Sequence, residues 1–136
     1  MTVFVDSSVW FAAANIRDHY NVRAKQILAE LPGRLTTDHV IVETWLLLNS
    51  RVGRHSAEGF WREIGKVAEI ENVTTADVEA GWAITAQFAD QTFSIVDRTS
   101  FAVMERLGVT RVASFDADFA VYRYGRKRDR AFEILR

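Results

Sequence analysis

Four acidic residues of this 136-residue chain stand where a carboxylate could take part in catalysis. Asp6 ends an apolar run at the start of the chain, and Asp116 ends another run near its far end. Glu43 lies within an apolar stretch of helical character, and Asp97 follows Ser94 by three residues. Carboxylates that a fold brings together bind hard divalent cations, which promote the hydrolysis of phosphate esters. The residue types therefore favour metal-assisted chemistry on phosphate.

The elements that would position these acids alternate between strands and helices. Short apolar runs predict strands at 3–5, 34–37, 67–73, 112–115 and, at the sheet edge, 132–135. Helical patterns lie between them, at about 7–15, 19–31, 38–51, 56–66, 74–88 and 94–107. This alternation predicts an α/β fold in three layers, with a central parallel sheet of four to five strands and helices on both faces.

Such a fold brings the four acids together. The carboxyl ends of parallel strands share one edge of the sheet with the N-termini of the helices that follow them, and ligands bind at that edge. Asp6 and Asp116 end strands, whereas Glu43 and Asp97 lie in the first two turns of helices. Two unit charges about 4 Å apart repel by roughly 4 kcal/mol at an effective dielectric constant of 20, so a cation is expected between them.

The expected cation is Mg²⁺, with Mn²⁺ as a possible substitute, because both prefer oxygen ligands. Zinc is not expected, since the chain has no cysteine and its three histidines show no paired ligand spacing.

Each acid also has an ordinary structural interpretation. Asp6 could cap the helix that follows it, and Asp116 could belong to a simple turn. Asp97 could complete a capping box with Ser94. Glu43 is harder to explain in this way, because no nearby Lys or Arg lies on its helix face and a lone buried carboxylate needs a partner. The joint placement of the four at one edge is more specific than any of them alone.

Two further patterns concern the core. The helix at 38–51 is apolar nearly all round, which predicts that it is largely buried. The four tryptophans, at positions 10, 45, 61 and 82, are predicted to pack in the core rather than to stack on bases.

The Thr74–Asp77 spacing repeats that of Ser94 and Asp97 and predicts another helix start.

Length and composition limit the classes of protein. We expect residues 1–136 to form a single domain. The chain contains no cysteine, no apolar run of about 18 residues and no basic segment ahead of an apolar one at its N-terminus. We therefore expect no disulfide, no membrane span and no signal peptide, and a cytoplasmic location.

Charge is distributed unevenly along the chain. The net charge is −1, but residues 122–136 carry six basic and two acidic residues. This basic C-terminal arm is a candidate for contact with a polyanion such as RNA, and a solvated tail is the alternative. The residues predicted to contact phosphates are Arg123, Arg126, Lys127, Arg128 and Arg130.

Four short motifs give the chain a family resemblance. They are Val5-Asp6-Ser7-Ser8, Val42-Glu43-Thr44, the segment 94–100 that contains Asp97, and the segment 114–119 that contains Asp116 and Asp118. In their order and spacing the chain resembles the PIN-domain ribonucleases, and in particular the small VapC-type toxins of bacterial type II toxin–antitoxin modules. The resemblance covers essentially the whole chain.

The resemblance implies a Mg²⁺-dependent endoribonuclease that acts on tRNA, rRNA or mRNA, forms a homodimer and is inhibited by a cognate antitoxin protein. The acidic residues of the family match Asp6, Glu43, Asp97 and Asp116, with Asp118 as an accessory acid. On this basis Asp6 and Asp97 hold the main metal, Asp116 and Asp118 complete that site or a second one, and Glu43 activates the attacking water. The alternative is a non-catalytic module of the same fold that binds a protein partner.

Overall fold

A five-stranded, entirely parallel sheet forms the centre of the computed structural model, which describes residues 2–136. Its strand order is β3-β2-β1-β4-β5. Phe4 in the central strand faces Leu35 on one side and Val112 on the other. The strands are β1 (Val3–Val5), β2 (Arg34–Thr37), β3 (Glu69–Glu71), β4 (Arg111–Ala113) and β5 (Glu133–Leu135). The predicted parallel α/β fold is confirmed.

Seven helices connect the strands within residues 2–136. The last of them, a single short turn of helix after Asp116, was not predicted, because four residues give too little periodicity to read. The helices are α1 (Ser7–Ala14), α2 (Asn21–Glu30), α3 (Asp38–Arg51), α4 (Arg54–Val67), α5 (Thr75–Gln87), α6 (Ile95–Leu107) and α7 (Asp118–Val121). None of the described helices is long and apolar enough to cross a membrane.

The core fixes the strand ends that carry the acids. All three residues of β1 are fully buried, as expected for a strand with neighbours on both sides and helices on both faces. Beside β4, the ring of Phe101 in α6 stacks on Tyr122 with centroids 4.1 Å apart, and Phe93 and Phe119 pack against Phe101 edge-on. This aromatic cluster holds α6 in place relative to the central strands.

The two edge strands differ from the central ones. Each is only three residues long, with the sequence Glu-Ile-Glu in β3 and Glu-Ile-Leu in β5. Glu69 and Glu133 are exposed at these edges. Exposed glutamate side chains therefore flank the backbone N–H and C=O groups at the two outer edges of the sheet.

The prediction that α3 is largely buried was wrong. Val40 and Leu48 are buried, but Val42 and Leu46 are 58% and 57% exposed. A helix turns by about 100° per residue, so its neighbours cover one side only, and no described element covers the side that carries Val42 and Leu46.

The prediction that all four tryptophans are core residues was also wrong. Trp10 is buried and Trp45 is half-buried, but Trp61 and Trp82 are 61% and 74% exposed. Trp61 lies beside the exposed side of α3, where it shares a cavity of about 290 Å³ with Val42 and Leu46. The apolar content of these helices therefore exceeds what the core of a single chain can cover.

Candidate active site

The predicted acids meet at the carboxyl edge of the sheet. Glu43, Asp97, Asp116 and Asp118 all line one open cavity of about 560 Å³. Asp6 is buried and does not line this cavity, but it accepts a hydrogen bond from Ser8, which does. Its backbone N–H donates to the carbonyl of Ala113 at 3.0 Å, which continues the pairing of β1 with β4 up to the acids. The parallel sheet therefore produces the convergence that the sequence predicts.

Asp6 is held by serine hydroxyls. Ser8 Oγ and Ser114 Oγ donate to Asp6 Oδ2 at 2.8 and 2.9 Å, and Ser7 Oγ lies 3.4 Å from Oδ1. Asp6 is also the N-cap of α1, as its ordinary structural interpretation predicts. Burial raises the pKa of Asp6 above its usual value, although the hydrogen bonds from Ser8 and Ser114 lower it.

Three carboxylates form a compact group in the cavity. Asp97, Asp116 and Asp118 each offer an oxygen, and these oxygens lie within 4.8 Å of one another. The turn before α7 positions two of them: the Asp118 N–H donates to Asp116 Oδ1 at 2.9 Å, and the Asp116 N–H donates to Ser114 Oγ at 3.0 Å. We call Asp97, Asp116 and Asp118 the carboxylate group.

Asp97 combines a structural and an electrostatic role. It forms the predicted capping box with Ser94 at the start of α6, with reciprocal bonds of 3.0 and 3.3 Å. Burial, a hydrogen bond with Asp118 and the charges of Asp6, Asp116 and Asp118 raise the pKa of Asp97 to about 8. At neutral pH this carboxyl therefore holds a proton unless a cation replaces it.

Glu43 projects into the cavity from the second turn of α3. The hydroxyl of Ser7, at the start of α1, donates to Glu43 Oε1 in a short hydrogen bond. Burial raises the pKa of Glu43, the bond from Ser7 lowers it, and the charges of Asp6 and Asp116 raise it further. Ser7 thus orients a carboxyl group that faces the other acids.

Within residues 2–136, no lysine or arginine forms an ion pair with any of these five acids. The other capping-box aspartate shows the contrast. Arg106 donates from Nε and Nη2 to the two oxygens of Asp77, both at 2.9 Å. Burial alone would raise the pKa of Asp77, but the bonds from Arg106 and Thr74 outweigh it and lower the pKa. No ion pair from the described part of the chain therefore offsets the repulsion among these acids.

The donor set fits a hard divalent cation. The carboxylate group supplies oxygen ligands only, from aspartates that a single ion could bridge. An ion of charge +2 would also offset the repulsion that raises the pKa of Asp97. The site is thus suited to a divalent cation with oxygen ligands.

A basic side chain on the cavity wall, that of Arg51, was not predicted from the sequence to belong to the site. Arg51, at the C-terminus of α3, lines the cavity, and its guanidinium carbon lies 5.8 Å from the centroid of the Phe11 ring. Leu47 lies between Glu43 and Arg51 on the same helix face. The four-residue spacing of these three residues was the available signal, because it places them on one stripe of the helix.

The cavity wall also carries two aromatic residues that the sequence did not single out. Tyr20, just before α2, and Phe115, just before Asp116, both line the cavity. The sequence placed Tyr20 in the helix predicted at 19–31 and Phe115 in the strand predicted at 112–115, whereas the structure has both just outside α2 and β4. Apolar periodicity predicts burial in the core and does not indicate that a ring lines a cavity.

The basic C-terminal arm is folded against the domain. Arg123 Nη1 donates to the carbonyl of Ala120 at 2.6 Å, and Arg128 Nη1 contacts Tyr122 Oη at 2.9 Å and Glu105 at 3.5 Å. Glu105 lies eight residues beyond Asp97 on α6, which is about 12 Å along the helix axis. The arm therefore begins at a distance from the acids.

Four of the five predicted phosphate contacts in the arm are exposed, and Arg128 is the one of these four that forms an ion pair. Arg126, Lys127 and Arg130 form no ion pair within the described part of the chain. An antiparallel bridge between Tyr124 and Arg130 closes the turn that presents them.

Comparison with known proteins identifies the class of protein. The family model for the PIN domain matches residues 3–124, and the chain belongs to this family. The 23S rRNA-specific endonuclease VapC20 of Mycobacterium tuberculosis, found in two strains, is 37% identical over 120 residues, which cover 87% of this chain and 92% of the relative. The predicted family is confirmed.

Solved structures agree with this assignment. The crystal structure of Mycobacterium tuberculosis VapC20, described as a sarcin–ricin loop cleaving toxin, matches with a TM-score of 0.82 at 36% identity, over 88% of this chain and 93% of that one. VapBC2 from Rickettsia felis, bound to a DNA fragment from its promoter, matches with a TM-score of 0.69 at 9% identity, over 99% and 98% of the two chains. The second match shows the fold alone.

Proposed function

We propose that this protein is a divalent-metal-dependent endoribonuclease and the toxin of a toxin–antitoxin pair. The observation that carries the proposal is the carboxylate group in the cavity at the sheet edge, with no basic partner among the described residues. This group stands in a chain that shares 37% identity with a 23S rRNA-specific endonuclease over most of both lengths.

The carboxylate group would hold the metal, with Asp6 as a further ligand. Asp6 Oδ2 accepts the bonds from Ser8 and Ser114, which leaves Oδ1 for an ion. A bound Mg²⁺ would offset the negative charge of the site and of the phosphate and would polarise the attacking water.

Glu43 is the proposed general base. Its raised pKa makes it a better proton acceptor near neutral pH than an ordinary glutamate, and the hydrogen bond from Ser7 keeps it pointed into the cavity. The water forms a bond to phosphorus, its proton passes to Glu43, and the bond from phosphorus to the 3′-oxygen breaks. The leaving oxygen takes a proton from solvent. The products are a 5′-phosphate and a 3′-hydroxyl.

Among the RNA classes that the sequence left open, we propose ribosomal RNA, because the relative acts on 23S rRNA. The test is incubation of purified ribosomes with the protein in Mg²⁺ or in EDTA, followed by mapping of the new RNA ends. Cleavage that requires Mg²⁺ and disappears in Asp97→Asn supports the proposal. Intact RNA in every reaction would favour the non-catalytic binding module instead.

A cellular test addresses the toxin role. Expression of the protein alone should arrest growth, and the Asp97→Asn variant should not. Co-expression of the antitoxin, the proposed protein partner, should restore growth. Because the proposed substrate is ribosomal RNA, we place the protein in the cytoplasm.

We also propose that the protein forms a homodimer through the exposed side of α3. Val42, Leu46 and Trp61 form a contiguous apolar surface there, and such surfaces on a folded chain mark contacts with other proteins. A twofold axis would cover the surface of each copy with that of the other. Leu46→Glu should convert a dimer in sedimentation analysis to a monomer, whereas Glu69→Gln, on the sheet edge, should not.

A further inference from the structure

Two aromatic rings form a stack on the wall of the cavity that holds the acids. The ring centroids of Tyr20 and Phe115 lie 4.4 Å apart, with 15° between their planes. Phe115 is half-buried, but Tyr20 remains 47% exposed. The ring of His19 lies 4.9 Å from that of Tyr20, centroid to centroid, with 77° between their planes. We call Tyr20 and Phe115 the aromatic platform.

The platform is fixed relative to the acids. Phe115 directly precedes Asp116, and its backbone N–H donates to Ser8 Oγ at 3.0 Å. The same Ser8 hydroxyl donates to Asp6 at 2.8 Å. Hydrogen bonds therefore link the position of the platform to the position of the carboxylates.

Tyr20 is held in place on its backbone side. The Tyr20 N–H donates to Asp18 Oδ1 at 2.7 Å, and Asp18 also lines the cavity. The phenol hydroxyl of Tyr20, in contrast, makes no hydrogen bond with the described residues. The ring therefore serves neither the core nor a polar network of the chain, and a role toward a ligand would explain its position.

We propose that the aromatic platform stacks with an unpaired nucleobase of the RNA next to the scissile phosphate. The inference rests on the proposed function and adds the form of the substrate. Proteins recognise single-stranded loops by stacking splayed bases on aromatic side chains. A base within a duplex is covered on both faces by its neighbours, so the platform selects RNA in which the nucleotide beside the cut is unstacked.

The test uses a sarcin–ricin-loop hairpin RNA in which each loop purine in turn is replaced by 2-aminopurine, whose fluorescence falls on stacking. The titration is done in Ca²⁺, so that binding is followed apart from cleavage. We expect the wild-type protein to quench one position strongly. Tyr20→Ala should abolish this quenching and weaken binding by about 5- to 150-fold, the range found when a stacking aromatic is removed.

Two variants separate stacking from structure. Tyr20→Phe keeps the ring and should retain the quenching and bind within about twofold of wild type. Trp82→Ala removes an aromatic side chain that is more exposed than Tyr20 and lies outside the cavity, and it should behave as wild type. Thermal melting of each variant shows that it is folded.

A cleavage experiment in Mg²⁺ completes the test. An abasic nucleotide at the quenched position should lower kcat/KM for the wild-type protein and have little further effect on Tyr20→Ala. Quenching that persists in Tyr20→Ala, or a full loss of binding in Tyr20→Phe, would contradict the proposal that the aromatic platform stacks with a nucleobase. Absence of Mg²⁺-dependent cleavage by the wild-type protein would instead overturn the proposed function, since the fluorescence titration does not depend on cleavage.

Discussion

Replacing Asp97 by asparagine should stabilise the metal-free protein. The asparagine carbonyl can still accept the N–H of Ser94, so the capping box at the start of α6 is retained. The variant removes a carboxyl group that burial and the neighbouring acids prevent from ionising easily. Asp97→Asn should therefore abolish cleavage and at the same time increase the free energy of unfolding of the metal-free protein.

The raised pKa of Asp97 determines how the stability of the wild-type protein changes with pH. In the unfolded chain Asp97 loses its proton near 3.8, but in the folded protein it keeps the proton up to about 8. The folded state thus binds more protons in this interval, and the stability of the wild type falls as the pH rises from about 4 to about 8. Below pH 4 the carboxyl is protonated in both states and the difference vanishes.

The size of the effect has an upper bound. The interval from 3.8 to about 8 corresponds to about 5–6 kcal/mol at about 1.36 kcal/mol per pH unit. Relaxation of the carboxylates and entry of water reduce this cost, so we expect Asp97→Asn to gain about 1–3 kcal/mol at pH 8. For a domain of this length, each kcal/mol raises the Tm by about 4 °C.

The assay is urea unfolding in EDTA at pH 5, 7 and 8, followed by tryptophan fluorescence. Asp77→Asn is the matched control, because Asp77 occupies the same capping-box position but is paired with Arg106. The pKa of Asp77 is lowered, so its contribution is present above the unfolded value and lost as the pH falls through the folded one. Asp77→Asn should lose about 1–3 kcal/mol at pH 7.

An Asp97→Asn variant that is no more stable than the wild type at pH 8, or that differs from it equally at pH 5 and pH 8, would contradict this effect of the Asp97 carboxyl. Mg²⁺ provides a second check. It should raise the Tm of the wild type, because an ion that binds only the folded state stabilises it, and it should do so far less in Asp97→Asn.

Three further predictions concern cleavage and binding. Glu43→Gln should lower kcat by about 10²- to 10⁴-fold with little change in KM, as expected for loss of a general base; a wild-type kcat in a single-turnover assay would remove Glu43 from that role. Arg51→Ala should raise KM and reduce the slope of log affinity against log salt by about one, because a phosphate contact is lost; Arg51→Lys should restore the slope, and an unchanged slope in Arg51→Ala would exclude the contact. Joint replacement of Arg126, Lys127 and Arg130 by alanine should weaken RNA binding and flatten its salt dependence, and a slope equal to that of the wild type would make the arm a solvated surface only.

The sequence was sufficient for the fold and for the meeting of the acids, because both follow from strand–helix alternation. Spacing alone could not separate Asp97 from Asp77, since both complete a capping box; the family resemblance of segment 94–100 singled out Asp97, and the structure adds that Arg106 neutralises Asp77. The sequence also overestimated the burial of α3, because an apolar residue such as Leu46 gives no sign of whether its cover comes from the same chain. In both cases the environment of the residue is set by other elements of the fold or by other chains, which the local sequence does not reveal.

The short, glutamate-bearing outer strands limit how copies of this protein can join. Another chain that approached β3 or β5 to extend the sheet would meet Glu69 or Glu133, and each pairing would be only three residues long. Open-ended growth of the sheet into fibrils is thereby discouraged at both margins. Higher assemblies are left to the helical faces, whose side chains can specify a closed complex of defined size.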